Sequence, residues 1–153
     1  MRDFEKISFE RFKKDVKDDI DLYNEYKLPR RGSKSAAGYD FFLLEDLVIE
    51  PGQTLKLPTG VKSKFESDEV LLLIVRSGIG FKYNIRLCNQ VGVIDADYYN
   101  NKNNEGHLWI RIQNESNDIV RLPKGDRVVQ GLFMKYLTTD SDEGNDNERV
   151  GKY

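Results

Sequence analysis

The feature that most restricts what this chain can fold into is a succession of short stretches, beyond Pro29, in which apolar and polar residues alternate between turn signals. Val48 and Ile49 precede Pro51-Gly52, after which Leu55 and Leu57 alternate with Thr54 and Lys56; Val61, Ser63 and Phe65 continue the period of two. Leu108, Ile110 and Ile112 alternate with His107, Trp109 and Arg111, and a last long strand is predicted over residues 126–136, after the turn Pro123-Lys124-Gly125. A period of two sends successive side chains to opposite faces, so these stretches read as half-buried strands. The unbroken apolar run at residues 70–75 reads instead as a strand buried on both faces. Many short strands between turns predict a sandwich or barrel with mainly antiparallel pairing. No internal repeat of usable period is found.

Residues 8–26 follow another rule. Phe9, Phe12, Val16, Ile20 and Tyr23 recur at spacings of three and four and Ser8 can cap the start, which predicts one short amphipathic helix. Lys13, Lys14, Asp15, Lys17, Asp18 and Asp19 form its solvated face in this reading. At 153 residues the chain fits one domain, and a domain of that size buries roughly 70% of the surface its unfolded chain exposes. Residues 1–137 are assigned to a single β domain with the helical extension. Residues 138–153 are assigned to an acidic linker (Asp140, Asp142, Glu143, Asp146), expected to be mobile, and a shortened C-terminal motif.

With 24 basic and 26 acidic residues the formal net charge is −2, so no overall field draws the protein to nucleic acid or an anionic membrane. A bound phosphate must be met by local groups. The single cysteine, Cys88, excludes an intramolecular disulfide, and with His107 as the one histidine there are too few soft ligands for structural zinc. A metal, where one is used, is expected to be a hard ion held through oxygen. The N-terminus carries no apolar signal core and no apolar run approaches the ~20 residues of a membrane span, which predicts a soluble, cytoplasmic protein.

Three segments concentrate chemistry. In Gly92-Val93-Ile94-Asp95-Ala96-Asp97-Tyr98-Tyr99 an apolar strand delivers an acid with no Lys or Arg within four residues. A carboxylate placed so either opens a turn or faces a cleft where it meets other donors. Arg76-Ser77-Gly78-Ile79-Gly80 follows the buried strand directly; it reads either as a plain glycine-bearing turn or as an oxyanion cradle of guanidinium, hydroxyl and backbone amides. It is no P-loop, since the Gly-Lys-Ser/Thr step is absent. Gln130 is polar within the largely apolar last strand and must find hydrogen bonds if buried, which leaves an interface or ligand role beside exposure at an edge. Asp40, after the small residues Ser35, Ala36, Ala37 and Gly38, reads as structural.

Taken in order, Ala37-Gly38-Tyr39-Asp40-Phe41, Arg76-Ser77-Gly78-Ile79-Gly80, Gly92-Val93-Ile94-Asp95-Ala96-Asp97-Tyr98 and Gly125-Asp126-Arg127-Val128-Val129-Gln130 resemble four of the motifs of the trimeric dUTP pyrophosphatase (dUTPase) family. The stretch 100–105 after the third motif resembles the bacterial or phage form. The resemblance implies a jelly-roll β-fold assembled as a homotrimer, sites built from different subunits, and hydrolysis of dUTP to dUMP and pyrophosphate. It implies that Asp95 orients and deprotonates the attacking water. Arg76, Ser77, Gly78 and Gln130 correspond to phosphate contacts, and Asn89, Val93 and Ile94 to the hairpin, residues 84–95, that reads uracil. Tyr98 corresponds to the aromatic under deoxyribose that excludes a 2'-hydroxyl. Mg2+ is implied on the triphosphate oxygens with no direct protein ligand, and Asp40 as an acceptor for waters on that ion.

Two departures stand out. Val75 occupies a position where many relatives have Pro. Arg149 and Gly151-Lys152-Tyr153 look like the start of the fifth motif, with Arg149 toward phosphate and Tyr153 stacking on uracil, but the Gly-Ser-Thr that would follow is not in the sequence. Reduced turnover is expected from that, with a gain in kcat on appending Gly-Ser-Thr-Gly. The alternatives are a dCTP deaminase-like enzyme, distinguished by ammonia release, and a nucleotide-responsive regulator that binds an unidentified protein partner.

Overall fold

A computed structural model of the chain describes residues 1–142 and 144. All strand pairings given below are antiparallel. The largest sheet runs in the order β2 (Arg30–Arg31), β3 (Tyr39–Phe42), β12 (Arg127–Lys135), β7 (Glu69–Val75), β9 (Gly92–Asp95). A second sheet orders β5 (Thr54–Pro58), β10 (Trp109–Asn114) and β8 (Ile85–Leu87). Two ribbons complete the set: β1 (Asp3–Lys6) with β6 (Val61–Lys64), and β4 (Leu47–Ile49) with β11 (Val120–Leu122). Inner faces meet in one apolar core, including Phe41, Ile49, Leu71, Leu73, Ile112 and Val129, as expected of a jelly roll.

The period-two stretches become strands close to where the alternation puts them, because Leu108, Ile110 and Ile112 all point into that core. The run at 70–75 departs from the reading of two buried faces. Leu71 and Leu73 are 0% and 2% exposed, whereas Val70, Leu72 and Ile74 are only half-buried. One face of β7 meets the core; the other leaves an apolar strip on the surface of the single chain.

The single helix expected over residues 8–26 is two: α1 (Phe9–Asp15) and α2 (Ile20–Glu25). Ser8 caps the first as expected, its Oγ accepting from the Arg11 amide at 3.1 Å. Asp19, expected on a solvated face, instead caps the second by accepting from the Leu22 amide at 3.0 Å. That side-chain competition with the backbone explains the break. The new phase buries Leu22 and Tyr26 with Phe12, Ile7 and Leu44 and leaves Ile20 49% exposed.

Arg76-Ser77-Gly78-Ile79-Gly80 is not an isolated turn but opens a third helix, α3 (Ser77–Tyr83), anchored by buried Ile79 and stopped by left-handed Asn84 (φ 54°). No helix among the described residues is long and apolar enough to cross a membrane. Arg149 and Tyr153 lie outside the described residues.

Candidate active site

Strand β9 pairs with β7, Asp95 opposite Val70 and Gly92 opposite Leu73. Gly92 allows this approach, since a Cβ there would lie 3.1 Å from Leu73 Cβ. Asp95 ends the strand and a 3-10 turn, Ala96–Tyr98, follows at once. A cleft of about 720 Å³ opens here, a size that suits a small-molecule ligand. Asn89, Val93, Ile94, Asp95 and Tyr98, five of the residues singled out from the sequence, line it together. Asp95 is exposed and Tyr98 half-buried, so a carboxylate stands at a partly apolar cavity with an aromatic beside it.

The far wall was not foreseen. Lys56, Trp109, Ile110 and Arg111 come from β5 and β10, with Arg111 opposite Lys56 in register. The Lys56 ammonium lies 4.5 Å from the centre of the Trp109 ring, and Arg111 Nη2 donates to Thr54 Oγ1 at 3.1 Å. The only advance signal was the alternation of Trp109 and Arg111 with core residues, which names a face without saying what that face looks onto.

A second cluster gathers Arg76, Asp40, Arg127 and Gln130. Buried Asp40, 6% exposed, receives Arg76 Nε on Oδ1 at 3.1 Å and Arg127 Nη1 on Oδ2 at 3.4 Å. Arg76 also donates to the Arg127 carbonyl at 3.3 Å. Asp40 thus pins two guanidiniums side by side beside Ser77 and Gly78, whose amides precede the first intrahelical hydrogen bond of α3. Such a set of donors suits an oxyanion. Gln130 is no edge residue: β12 lies inside the sheet, with Gln130 between Asp40 on β3 and Ile74 on β7. The β3 pairing shifts register between Arg127 and Gln130, an irregularity of the kind that re-aims side chains. Gly38 makes the room, since a Cβ there would fall 2.1 Å from Gln130 Oε1.

The two clusters do not meet within one chain. Asp95 pairs with Val70 near one end of β7, whereas Val75 and Arg76 lie at the other, against Val129 and Val128. At about 3.3 Å per residue the six steps from Val70 to Arg76 span roughly 20 Å.

His107 alternates with Leu108 and Ile110 yet is fully buried. Its Nε2 accepts from the Gly60 amide at 2.9 Å and its Nδ1 lies 2.6 Å from Asp15 Oδ2, so the ring is the neutral Nδ1–H tautomer. Burial pushes its pKa below the ordinary value despite the opposing pull of Asp15. Asp15, expected on a solvated helix face, is in fact its partner. Among the described residues no group of three or more His, Cys, Asp or Glu side chains could hold a metal ion.

The dUTPase family model matches residues 24–152. The deoxyuridine 5'-triphosphate nucleotidohydrolase of Lactococcus lactis is 42% identical over 127 residues, covering 82% of this chain and 85% of its own length. That of Pseudomonas fluorescens SBW25 is 40% identical over 115 residues, covering 72% of each chain. Among solved structures, the dUTPase from Streptococcus mutans superposes with a TM-score of 0.72 at 40% identity, covering 90% of this chain and 98% of that one. The dUTPase from phage phi11 of S. aureus, at 22% identity, TM-score 0.68, and coverage of 98% and 99%, shares the fold. With the motifs in order, the jelly roll formed and the family model spanning most of the sequence, this chain belongs to the dUTPase family.

Proposed function

We propose that the protein hydrolyses dUTP to dUMP and pyrophosphate, and that Asp95 activates the water. The observation that carries this reading is the placement of Asp95 in one cleft with Asn89, Val93, Ile94 and Tyr98. Uracil sits against Asn89, Val93 and Ile94, where hydrogen bonds can reject cytosine. The Tyr98 ring packs under deoxyribose and leaves no room for a 2'-hydroxyl. Asp95 holds a water in line with the α-phosphorus; as its oxygen bonds to phosphorus a proton passes to the carboxylate, and the bond to the bridging oxygen breaks to release pyrophosphate.

Charge moving onto that leaving group needs donors, which Arg76, Ser77, Gly78 and Gln130 supply. Because these lie roughly 20 Å from Asp95 along β7 in the same chain, they serve the site of a neighbouring copy. A homotrimer follows from this reading, and the apolar strip of Val70, Leu72 and Ile74 is a surface suited to contact between copies. Arg149 and Tyr153 are assigned to phosphate and to stacking on uracil. Mg2+ is assigned to the triphosphate oxygens, because this ion keeps waters and binds through substrate phosphates. When bound it offsets triphosphate charge. Asp40 first holds Arg76 and Arg127 in place, with waters on the ion as its further partners.

Pyrophosphate release from dUTP tests the reading. Asp95→Asn should lower kcat by about 10²- to 10⁴-fold, the usual contribution of a general base. Unchanged release by Asp95→Asn would remove Asp95 from the mechanism, and ammonia release from dCTP by the wild type would favour deamination.

A further inference from the structure

The loop after the third motif, residues 100–106, is wired to the tyrosine assigned to the sugar. Asn104 Nδ2 donates to Tyr98 Oη at 2.7 Å, and that hydroxyl donates in turn to the His107 carbonyl at 3.4 Å. Asn101 Nδ2 donates to the Tyr98 carbonyl and to Asn104 Oδ1, both at 2.8 Å, so the backbone and the ring tip of Tyr98 are gripped by two adjoining amides. Both asparagines are 8% exposed. Asn104 Oδ1 also accepts from the Gly106 amide at 3.0 Å, which leaves its side chain one orientation that satisfies every partner.

The grip is itself fastened from behind. Glu105 accepts from the Ser8 amide on Oε2 at 2.7 Å and from the Ser8 hydroxyl on Oε1 at 2.6 Å, and Lys62 Nζ donates to the same Oε2 at 3.0 Å. Arg11 Nη2 donates to the Asn103 carbonyl at 3.1 Å, and Asp15 holds His107. A loop tied to the α1 cap through Glu105, to α1 itself through Asn103 and to Asp15 through the adjoining His107 cannot drift with the ring it supports.

We infer that Asn104 is a positioning residue that fixes the Tyr98 ring and thereby sets discrimination between deoxyribose and ribose. The inference rests on the placement of the sugar against Tyr98 proposed above. A ring held only at its Cβ end can tip on its χ1 and χ2 torsions and admit a 2'-hydroxyl; a ring held also at Oη cannot. Asn104 touches no substrate atom in this account, and its effect passes through Tyr98.

The test compares kcat/KM for dUTP and for UTP, by pyrophosphate release, in wild type, Asn104→Ala, Tyr98→Phe and the double variant, with thermal melting of each. One hydrogen bond being worth about a factor of five to ten, the dUTP-to-UTP ratio should fall by about that factor in Asn104→Ala. Tyr98→Phe, which also gives up the contact with the His107 carbonyl, should show at least as large a fall, and the double variant none beyond that of Tyr98→Phe, because Asn104 then has no hydroxyl to hold. A folded Asn104→Ala with the wild-type ratio, or losses that multiply in the double variant, overturns the inference. If Asn104→Ala does not fold, Tyr98→Phe decides: a lowered ratio supports the inference and an unchanged ratio overturns it. Wild type that hydrolyses UTP as well as dUTP would overturn the sugar assignment and this inference with it, whereas discriminating wild type beside equally discriminating variants overturns the inference alone.

Discussion

Gly38→Ala adds one methyl group at the point where β3 meets Gln130. The new Cβ would stand 2.1 Å from Gln130 Oε1, 2.9 Å from its Cδ and 3.1 Å from its Cβ. The first two clashes are relieved by swinging the amide away, but the third involves an atom fixed to the strand, so β3 and β12 must also give by a few tenths of an ångström. Overpacking of this kind costs about 1–3 kcal/mol of stability. Under the proposed function the larger effect falls on activity, because the swing takes the Gln130 amide away from the triphosphate it is proposed to hold. A hydrogen bond to a charged group is worth about 1.5–3 kcal/mol, hence about a 10- to 150-fold loss in kcat/KM for dUTP. Steady-state pyrophosphate release and thermal melting measure the two effects separately. In Gln130→Ala the amide is already gone, so adding Gly38→Ala should cost little more activity. Wild-type kcat/KM in Gly38→Ala, or losses that multiply in the double variant, would refute the assignment of Gln130 to phosphate.

Two other consequences are open to simple measurement. His107 has an ordinary pKa of about 6.5 when unfolded and a lower one when buried in the fold, so below about pH 6.5 the unfolded chain takes up a proton that the folded chain refuses; its stabilising contribution is present above that pH and is lost as pH falls toward the folded value. The melting temperature should therefore fall between pH 7 and pH 5, with a shallower fall in His107→Asn, and a flat profile in the wild type would refute the buried neutral imidazole. Trp109 is the one tryptophan in the sequence and lines the cleft beside Lys56, so dUMP binding should change its emission; binding seen by calorimetry with no change in fluorescence would place the nucleotide elsewhere.

What the sequence made legible followed from local rules. Leu108, Ile110 and Ile112 advertise their face by alternation, and the isolation of Asp95 after an apolar strand pointed to a turn or a cleft; it stands at both, heading the 3-10 turn and lining the cleft. Where the reading failed, the deciding partner was distant or the local signals conflicted. Asp19 carries both a charge that fits a solvated face and an oxygen that caps α2, and capping won. Gly78 and Gly80 disfavour a helix, yet Ile79 buried under the first turn holds α3 in place. His107 is buried because Asp15 and Gly60, 92 and 47 residues away in sequence, satisfy its nitrogens. Lys56 reached the cleft only through its register with Arg111. The half-buried strip on β7 belongs with these, since an apolar run announces burial but not whether the chain's own core or another copy supplies it.

The central claim, that Asp95 of one copy works with Arg76 of another, is tested most directly by mixing two inactive chains. In the proposed homotrimer, the Asp95→Asn and Arg76→Ala chains should each, alone, lose pyrophosphate release. Co-refolded in equal amounts, every mixed trimer holds one site with both residues intact, so random assembly should restore about one quarter of wild-type activity. Activity no greater than that of the two separate variants would contradict the account, since it is the result required by sites completed within single chains.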